Sequence, residues 1–147
     1  MKNLLVAVDL KSTDQRLIDQ ASLLAEKFQS KIWIVHIAAP DPDFVGYEIG
    51  PMYIREMRAE ELRNEHKALK RLADQLHATS VEAESLLIQG PTVDMLKEEA
   101  KKLQIDLLIM GARHHGMMYE VFVGHTSVKV IKDIPIPVLI VPLPDEK

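Results

Sequence analysis

Short apolar runs alternate with stretches of mixed polarity along the whole chain. Nearly continuous apolar runs of this length are typical of strands that are covered on both faces of a parallel sheet. They predict five β-strands, at residues 4–8, 31–38, 80–88, 106–110 and 136–141. The prolines and glycines between residues 39 and 50 predict a surface loop after the second strand.

The stretches between these runs carry apolar residues at helical spacing. The apolar stripes begin with Leu17, Ala21, Leu24 and Phe28 in the first stretch and with Met52 and Leu62 in the second. Ser12 or Thr13 is placed to cap the first helix, and Thr92 to cap the third. The second helix is predicted over residues 51–77 and the last over residues 124–132.

This alternation of strands and helices predicts an α/β fold in a single domain, residues 1–147. We expect a doubly wound, Rossmann-like, five-stranded parallel sheet with strand order 3-2-1-4-5 and helices on both faces. Prolines at 135, 137 and 142 place the last strand at a sheet edge. Ligands of such folds bind beyond the carboxyl ends of the strands, so Asp9, Ala38, Gly90 and Gly111 are expected to border one crevice.

Charge and composition narrow the class of protein. The net charge of −4 argues against a nucleic-acid partner, which would need a basic face. The absence of cysteine excludes disulfides and thiolate chemistry and favours a cytoplasmic protein. The N-terminal residues are too quickly acidic for a signal peptide, so none is expected, and no apolar run approaches the ~18 residues that span a bilayer. No membrane association is therefore expected.

A glycine loop between the fourth strand and the last helix is the strongest chemical signal. Gly111, Gly116 and Gly124 lie in this segment, with Thr126 and Ser127 at the predicted helix start. Amide groups at a helix start lack partners within the helix and favour an anion such as phosphate. His114 departs from the small residues expected in such a loop. Its imidazole could either crowd the anion or donate a hydrogen bond to it.

The whole chain resembles the universal stress protein family in its small single-domain form. The resemblance is carried by VAVDLKSTDQ, IVHI, IQG and DLLIMGARHHG…VGHTSVKVIKDIPIPVLIVP. Nucleotide-binding members have Gly, two residues, Gly, nine residues, then Gly followed by Ser or Thr. Gly111 and Gly124 keep this spacing, whereas His114 replaces the middle glycine and His125 displaces the hydroxyl by one position.

The resemblance implies a stress-response module that binds an adenine nucleotide, either AMP or ATP, with Mg²⁺ as a candidate companion of ATP. The implied base and ribose contacts are Ala7, Val8, Asp9, Ile37 and Met110. The implied phosphate contacts are Gly111, His114, Gly116, Gly124, His125, Thr126 and Ser127. The alternative is a nucleotide-free dimeric interaction module in which His114 and His125 fill the phosphate site.

Catalysis and metal binding receive little support from the motifs. The chain has no G-x-S-x-G turn and no G-x-x-x-x-G-K-[ST] loop, so we expect binding without efficient turnover, with weak ATP hydrolysis left open. His114, His115 and His125 lack the H-x-H or H-E-x-x-H spacing of a metal site, so no structural metal is expected. A hydrolase acting on a phosphate ester or anhydride is the third hypothesis.

The last strand is the predicted surface for self-association. The resemblance implies a homodimer in which this strand pairs across a two-fold axis through Val138, Leu139, Ile140 and Val141. An exposed apolar edge would otherwise need a cover, and the alternative is a monomer whose C-terminal tail masks it. Apolar side chains at Phe44, Val45, Tyr47 and Ile49 predict a lid over the crevice or a surface for an unidentified protein partner.

Overall fold

The computed structural model describes residues 1–38, 52–113 and 129–144. The strands are β1 (Asn3–Ala7), β2 (Lys31–Ala38), β3 (Ala83–Gln89), β4 (Leu107–Arg113) and β5 (Val138–Leu143). The helices are α1 (Gln15–Phe28), preceded by a 3₁₀ turn at Ser12–Asp14, α2 (Met52–Ala78) and α3 (Thr92–Lys102). Residues 129–133, between β4 and β5, are also helical.

All five strands form one parallel sheet in the order β3-β2-β1-β4-β5. The predicted fold class and strand order are therefore confirmed. The first strand lies at the centre, with β2 on one side and β4 on the other. The chain thus reverses its direction of travel across the sheet after β3, and this reversal opens a crevice at the carboxyl end of β1.

Each face of the sheet has its own apolar core. One core packs Leu4, Val6, Ile32 and Ile34 against α1 and α2. The other packs Leu5, Val35 and Leu108 against α3 and the helical residues 129–133. Successive side chains of a strand point to opposite faces of the sheet and so enter different cores. This explains why the sequence of each strand is a nearly continuous apolar run.

The strand ends differ from the predicted ones in ways that matter for the site. β3 begins at Ala83 rather than at residue 80, and β4 continues past Met110 to Arg113. β5 runs from Val138 to Leu143 and includes Pro142, which we expected to follow the strand. Pro142 is tolerated because its carbonyl oxygen faces away from β4 and accepts a hydrogen bond from Nη1 of Arg16, at 3.1 Å. The nitrogen of residue 142 lies on the same outer side of this edge strand, so the N–H that proline lacks would not have bonded to β4.

The helix predictions need three corrections. Phe28 ends α1 and is 53% exposed, and Met52 begins α2 and is 65% exposed, so neither belongs to an apolar stripe. Phe28 is the last residue of α1, and Met52 belongs to the part of α2 before Leu69 that contributes no buried side chain. Thr92 is the first helical residue of α3 rather than its cap, because Pro91 occupies the N-cap position. Residues 12–14 form a 3₁₀ turn, so neither Ser12 nor Thr13 caps α1 directly.

The N-terminal segment is anchored to the start of β4. The backbone N–H groups of Lys2 and Asn3 donate to Oδ2 of Asp106 at 2.7 and 2.9 Å. These two hydrogen bonds, from Asn3 first and then Lys2, lower the pKa of the Asp106 carboxyl below its ordinary value. The contact fixes β1 in register with β4, which sets the level at which the two strands end.

Within the described ranges, no helix is both long and apolar enough to cross a membrane. The longest described helix is α2, with 27 residues, and its outward face is densely charged. Only Leu69, Ala73 and Leu76 of this helix are buried, so its first two thirds lie against little of the core.

Candidate functional site

The crevice is bordered by the ends of three neighbouring strands. β1 ends at Ala7, which pairs with Val35, so β2 continues three residues further, to Ala38. On the other side, β4 extends beyond its last recorded pair with β1, Val6 with Ile109. The short central strand therefore leaves a recess between two longer ones.

Three of the residues predicted to contact the base lie on one face of the sheet. Ala7, Ile37 and Met110 all belong to the core that packs against α3. Met110 is buried, whereas Ala7 and Ile37 are partly exposed beside it. An apolar surface of this kind, next to polar backbone groups at strand ends, suits a planar heterocycle. Val8 is buried in the opposite core, so only its backbone can reach the recess.

The loop after β1 is held by the carboxylate of Asp14, which the sequence analysis did not single out. Oδ2 of Asp14 accepts hydrogen bonds from the backbone N–H groups of Asp9, at 2.9 Å, and Lys11, at 3.1 Å. Asp14 is only 2% exposed. Leu10, between the two donors, adopts a φ of 63°, in the left-handed region. The carboxylate therefore fixes a tight turn.

Asp9 lies at the rim of the recess and its side chain is exposed. The backbone N–H of Asp9 donates to the Asp14 carboxylate, and this bond fixes the position of residue 9 in the turn. Asp9 follows the end of β1 by two residues, and its contact with a ribose stays a prediction. Its two oxygens are acceptors suited to a ligand hydroxyl or amino group.

The same loop is held from the β2 side by His36, another residue that the sequence analysis passed over. Its Nδ1–H donates to the carbonyl oxygen of Val8 at 2.8 Å, and the backbone N–H of Val8 donates to the carbonyl oxygen of Val35 at 2.9 Å. Both backbone groups of Val8 are thus fixed by β2. The signal for His36 was its position as a polar residue inside an otherwise apolar strand.

Gly111 lies inside β4, not in a loop after it, and pairs with Val141 of β5. A Cβ at this position would lie 2.8 Å from Cγ of Leu143, a separation that side chains do not tolerate. A larger residue at position 111 would therefore require the side chain of Leu143 to shift. Gly90, after β3, has a φ of 146° that favours glycine, and its N–H donates to the carbonyl oxygen of Ala38 at 3.2 Å.

The predicted phosphate contacts beyond Gly111 lie outside the described residues. They are His114, Gly116, Gly124, His125, Thr126 and Ser127. The predicted lid, residues 40–50, also lies outside them. Across the described ranges, no group of three or more His, Asp or Glu side chains is arranged to hold a metal ion.

A comparison with known proteins agrees with this architecture. The family model of universal stress proteins matches residues 1–142. The chain belongs to the universal stress protein family. A universal stress protein of Thermus aquaticus is 31% identical over 143 residues, which cover 95% of this chain and 98% of the relative. A universal stress protein A homolog of Haemophilus ducreyi is 32% identical over 147 residues, 99% of each chain.

Solved structures of universal stress proteins share the fold. UspA of Lactobacillus plantarum superimposes with a TM-score of 0.80 at 20% identity, covering 95% of this chain and 97% of that one. A universal stress protein in complex with cAMP gives a TM-score of 0.71 at 20% identity, with 96% of each chain covered. A family member from Arabidopsis thaliana with AMP bound gives 0.64 at 18% identity, covering 97% and 92%.

Proposed function

We propose that this universal stress protein binds an adenine nucleotide in the recess at the carboxyl end of β1. The observation that carries the proposal is the pair of partly exposed apolar side chains of Ala7 and Ile37, which pack against the core that contains buried Met110, at the strand ends where exposed Asp9 follows β1. Structural neighbours with cAMP or AMP bound support the ligand class. The base would lie on the apolar surface and the ribose hydroxyls would bond to Asp9.

The phosphate groups would extend toward the segment after β4. Gly111 lies in the part of β4 that pairs with β5, which ends at Arg113, and Gly124 with Thr126 and Ser127 follows at the spacing of the nucleotide-binding members. His114 and His125 would donate hydrogen bonds to the phosphates where those members have Gly and Ser. AMP and ATP are both candidates, the latter with Mg²⁺.

We further propose that the nucleotide is bound without efficient turnover, in the cytoplasm. The motifs supply no positioned nucleophile and no P-loop lysine. Occupation of the recess would be signalled to a protein partner through the ordering of residues around it. Such a module depends on the affinity of its ligand rather than on a catalytic rate.

Addition of AMP or ATP is expected to raise the melting temperature of the purified protein. A ligand at about one hundred times its Kd stabilises the folded state by about 2.7 kcal/mol, or about 9 °C for a chain of this size. Differential scanning fluorimetry measures the shift, and GMP at the same concentration is the control for base recognition. No shift at about 5 mM nucleotide, a concentration that would give a similar stabilisation for a Kd near 50 µM, would contradict the proposal.

The double variant His114→Gly, His125→Ser restores the residue types of the nucleotide-binding pattern and tests the role of the histidines. We expect it to bind AMP more weakly than the parent, because it loses two imidazole donors. Tighter binding would show that the histidines obstruct the phosphate position. If neither protein binds AMP or ATP, the alternative of a nucleotide-free interaction module is supported.

We propose a homodimer that forms through β5. The carbonyl oxygen of Pro137 accepts from the backbone N–H of Leu108, so alternate residues, Val138 and Ile140, direct their N–H and C=O groups away from β4. These groups are positioned to pair with a second copy. Sedimentation equilibrium is expected to give twice the chain mass of 16.6 kDa.

Ile140→Pro removes one outward N–H and is expected to shift the protein to the monomer mass. The bonds of β5 to β4 do not use this N–H, so circular dichroism should retain the helical signal of the parent. A variant that remains dimeric would place the interface elsewhere.

A further inference from the structure

The second edge of the sheet is formed by β3, which pairs with β2 on one side only. The backbone N–H of Ile32 donates to the carbonyl oxygen of Glu82 at 2.9 Å, and the N–H of Gly90 donates to the carbonyl oxygen of Ala38 at 3.2 Å. Even-numbered residues of β3 therefore bond to β2. Because the direction of the backbone groups alternates along a strand, odd-numbered residues direct their N–H and C=O groups outward.

This outer side of β3 is closed at its beginning and open further along. The Nε2–H of His77, near the end of α2, donates to the outward carbonyl oxygen of Ala83 at 2.7 Å. The next outward residues, Ser85 and Leu87, have no backbone hydrogen bond on that side among the described residues. Both are half-buried, as expected for a strand with a neighbour on one side only. Backbone groups in such a row are a template for an additional strand.

The side of α2 that borders this edge is basic. His77 lies on it, and helical steps of four and three residues back from His77 reach Ala73, Lys70, His66 and Arg63. The last three side chains are exposed. Within the described ranges, neither Lys70 nor Arg63 forms an ion pair with an acid. Both cations are therefore available to an acidic partner.

Acidic side chains are scarce on the outward surface of this part of α2. Between residues 62 and 78 the exposed Lys, Arg, Asp and Glu side chains are Arg63, Lys67, Lys70, Arg71 and Asp74. The remaining acid, Glu65, faces the sheet, where its Oε2 lies 3.6 Å from Nε2 of His36. With four cations and one acid exposed, a segment placed along β3 meets a positive potential on its α2 side.

The other face of β3 is apolar beside the same edge. Successive side chains of a strand alternate, so Leu87 packs against the core under α2, whereas Leu86 and Ile88 pack against the core under α3. Leu86 and Ile88 are half-buried and belong to the same core as Trp33 of β2. A strand added to β3 would thus have basic groups on one face and apolar groups on the other.

We propose that the edge of β3 binds an extended peptide segment of a partner protein in which acidic and apolar residues alternate. The backbone of the segment pairs with the outward groups of Ser85 and Leu87. Its acidic side chains lie on the side of Arg63 and Lys70, and its apolar side chains extend the surface of Leu86. This surface is separate from the nucleotide recess, so the proposal does not depend on nucleotide binding.

Fluorescence anisotropy with labelled synthetic peptides tests the strand addition. The peptide EVEVEVE is expected to bind at least about tenfold more tightly than KVKVKVK, which has the same pattern with the opposite charge. EVEVEVE that is N-methylated at its fourth and fifth residues keeps every side chain but loses one N–H on each side, so it should bind at least about tenfold more weakly. No binding of EVEVEVE at about 1 mM, or equal binding of the methylated peptide, would overturn the proposal.

Charge reversal on α2 tests where the peptide binds. The variant Arg63→Glu, Lys70→Glu changes two exposed positions and should bind EVEVEVE about tenfold more weakly and KVKVKVK more tightly than the parent. The matched control, Lys97→Glu with Lys101→Glu, makes the same change of charge at exposed positions of α3, on the opposite face of the sheet. It should bind like the parent. Equal losses in the two variants would show that the peptide responds to net charge alone, and the proposed site would be wrong.

Ser85→Pro tests the backbone pairing from the protein side. It removes an outward N–H but no hydrogen bond to β2, so the circular dichroism of the parent should be retained while EVEVEVE binds at least about tenfold more weakly. If the proline variant does not fold, the methylated peptide and the charge variants decide. If Ser85→Pro instead lowers the mass in sedimentation equilibrium, the β3 edge joins two copies of this chain, and the peptide proposal is refuted.

Discussion

Replacement of Asp14 by alanine is expected to lower the free energy of unfolding by about 3 kcal/mol. The buried carboxylate accepts two backbone N–H groups, from Asp9 and Lys11, and hydrogen bonds to a charged group are among the stronger ones. Alanine leaves both donors without this acceptor. Urea denaturation followed by circular dichroism measures the loss.

Asp74→Ala, at an exposed position of α2, is the control and should change stability by less than about 0.5 kcal/mol. Asp14→Asn keeps one oxygen as an acceptor but loses the charge, so it should fall between alanine and the parent. If Asp14→Ala lowers the free energy of unfolding by less than about 1 kcal/mol, the turn at Leu10 is stable without the Asp14 carboxylate. If the parent binds AMP, the alanine variant should also bind it more weakly, because Asp9 loses its fixed position.

Replacement of Gly111 by valine is expected to destabilise the protein by about 2 kcal/mol. The new side chain would occupy the space of Leu143, which is 5% exposed and packs over β4. Leu143 must then leave its position or the β4–β5 pairing must open. The same denaturation experiment measures the effect.

Leu143→Ala tests the cause of that loss. This substitution should cost about 2–3 kcal/mol in the parent background because it leaves a cavity. In the Gly111→Val background it should cost much less, since the valine fills part of the same space. If the two losses simply add, the contact with Leu143 does not explain the need for glycine.

Local sequence patterns were sufficient to predict the fold class and the edge position of the last strand. The apolar run at residues 4–8 predicted β1, and the prolines of the last strand predicted its place at the edge, because strand burial and the missing N–H of proline act locally. Gly111 was placed correctly at the crevice side of the sheet but in the wrong backbone state. A glycine favoured by its contact with the side chain of Leu143 cannot be told from a loop glycine without knowing which strands are neighbours.

The contacts that shape the site were harder to predict. Residue preferences alone favour Ser12 and Thr13 as caps of the first helix. The role of Asp14 depends on the turn at Leu10, which these preferences do not predict. His36 and Glu65 lie 29 positions apart in the sequence, and their Nε2 and Oε2 atoms are 3.6 Å apart, so the contact is a tertiary one. One signal did exist: counting back from buried Leu69 by one helical turn reaches Glu65, which places a carboxylate on the inward face.

Pro142 also limits how far the sheet can grow. A strand that adds to the outer side of β5 meets donor and acceptor groups at Val138 and Ile140, then a ring without a donor and a carbonyl already taken by Arg16. The usable margin is therefore only a few residues long. So short a pairing edge is compatible with one partner strand but not with the extended strand pairing of a fibril. Pro142 and Arg16 together therefore protect the apolar edge strand from aggregation.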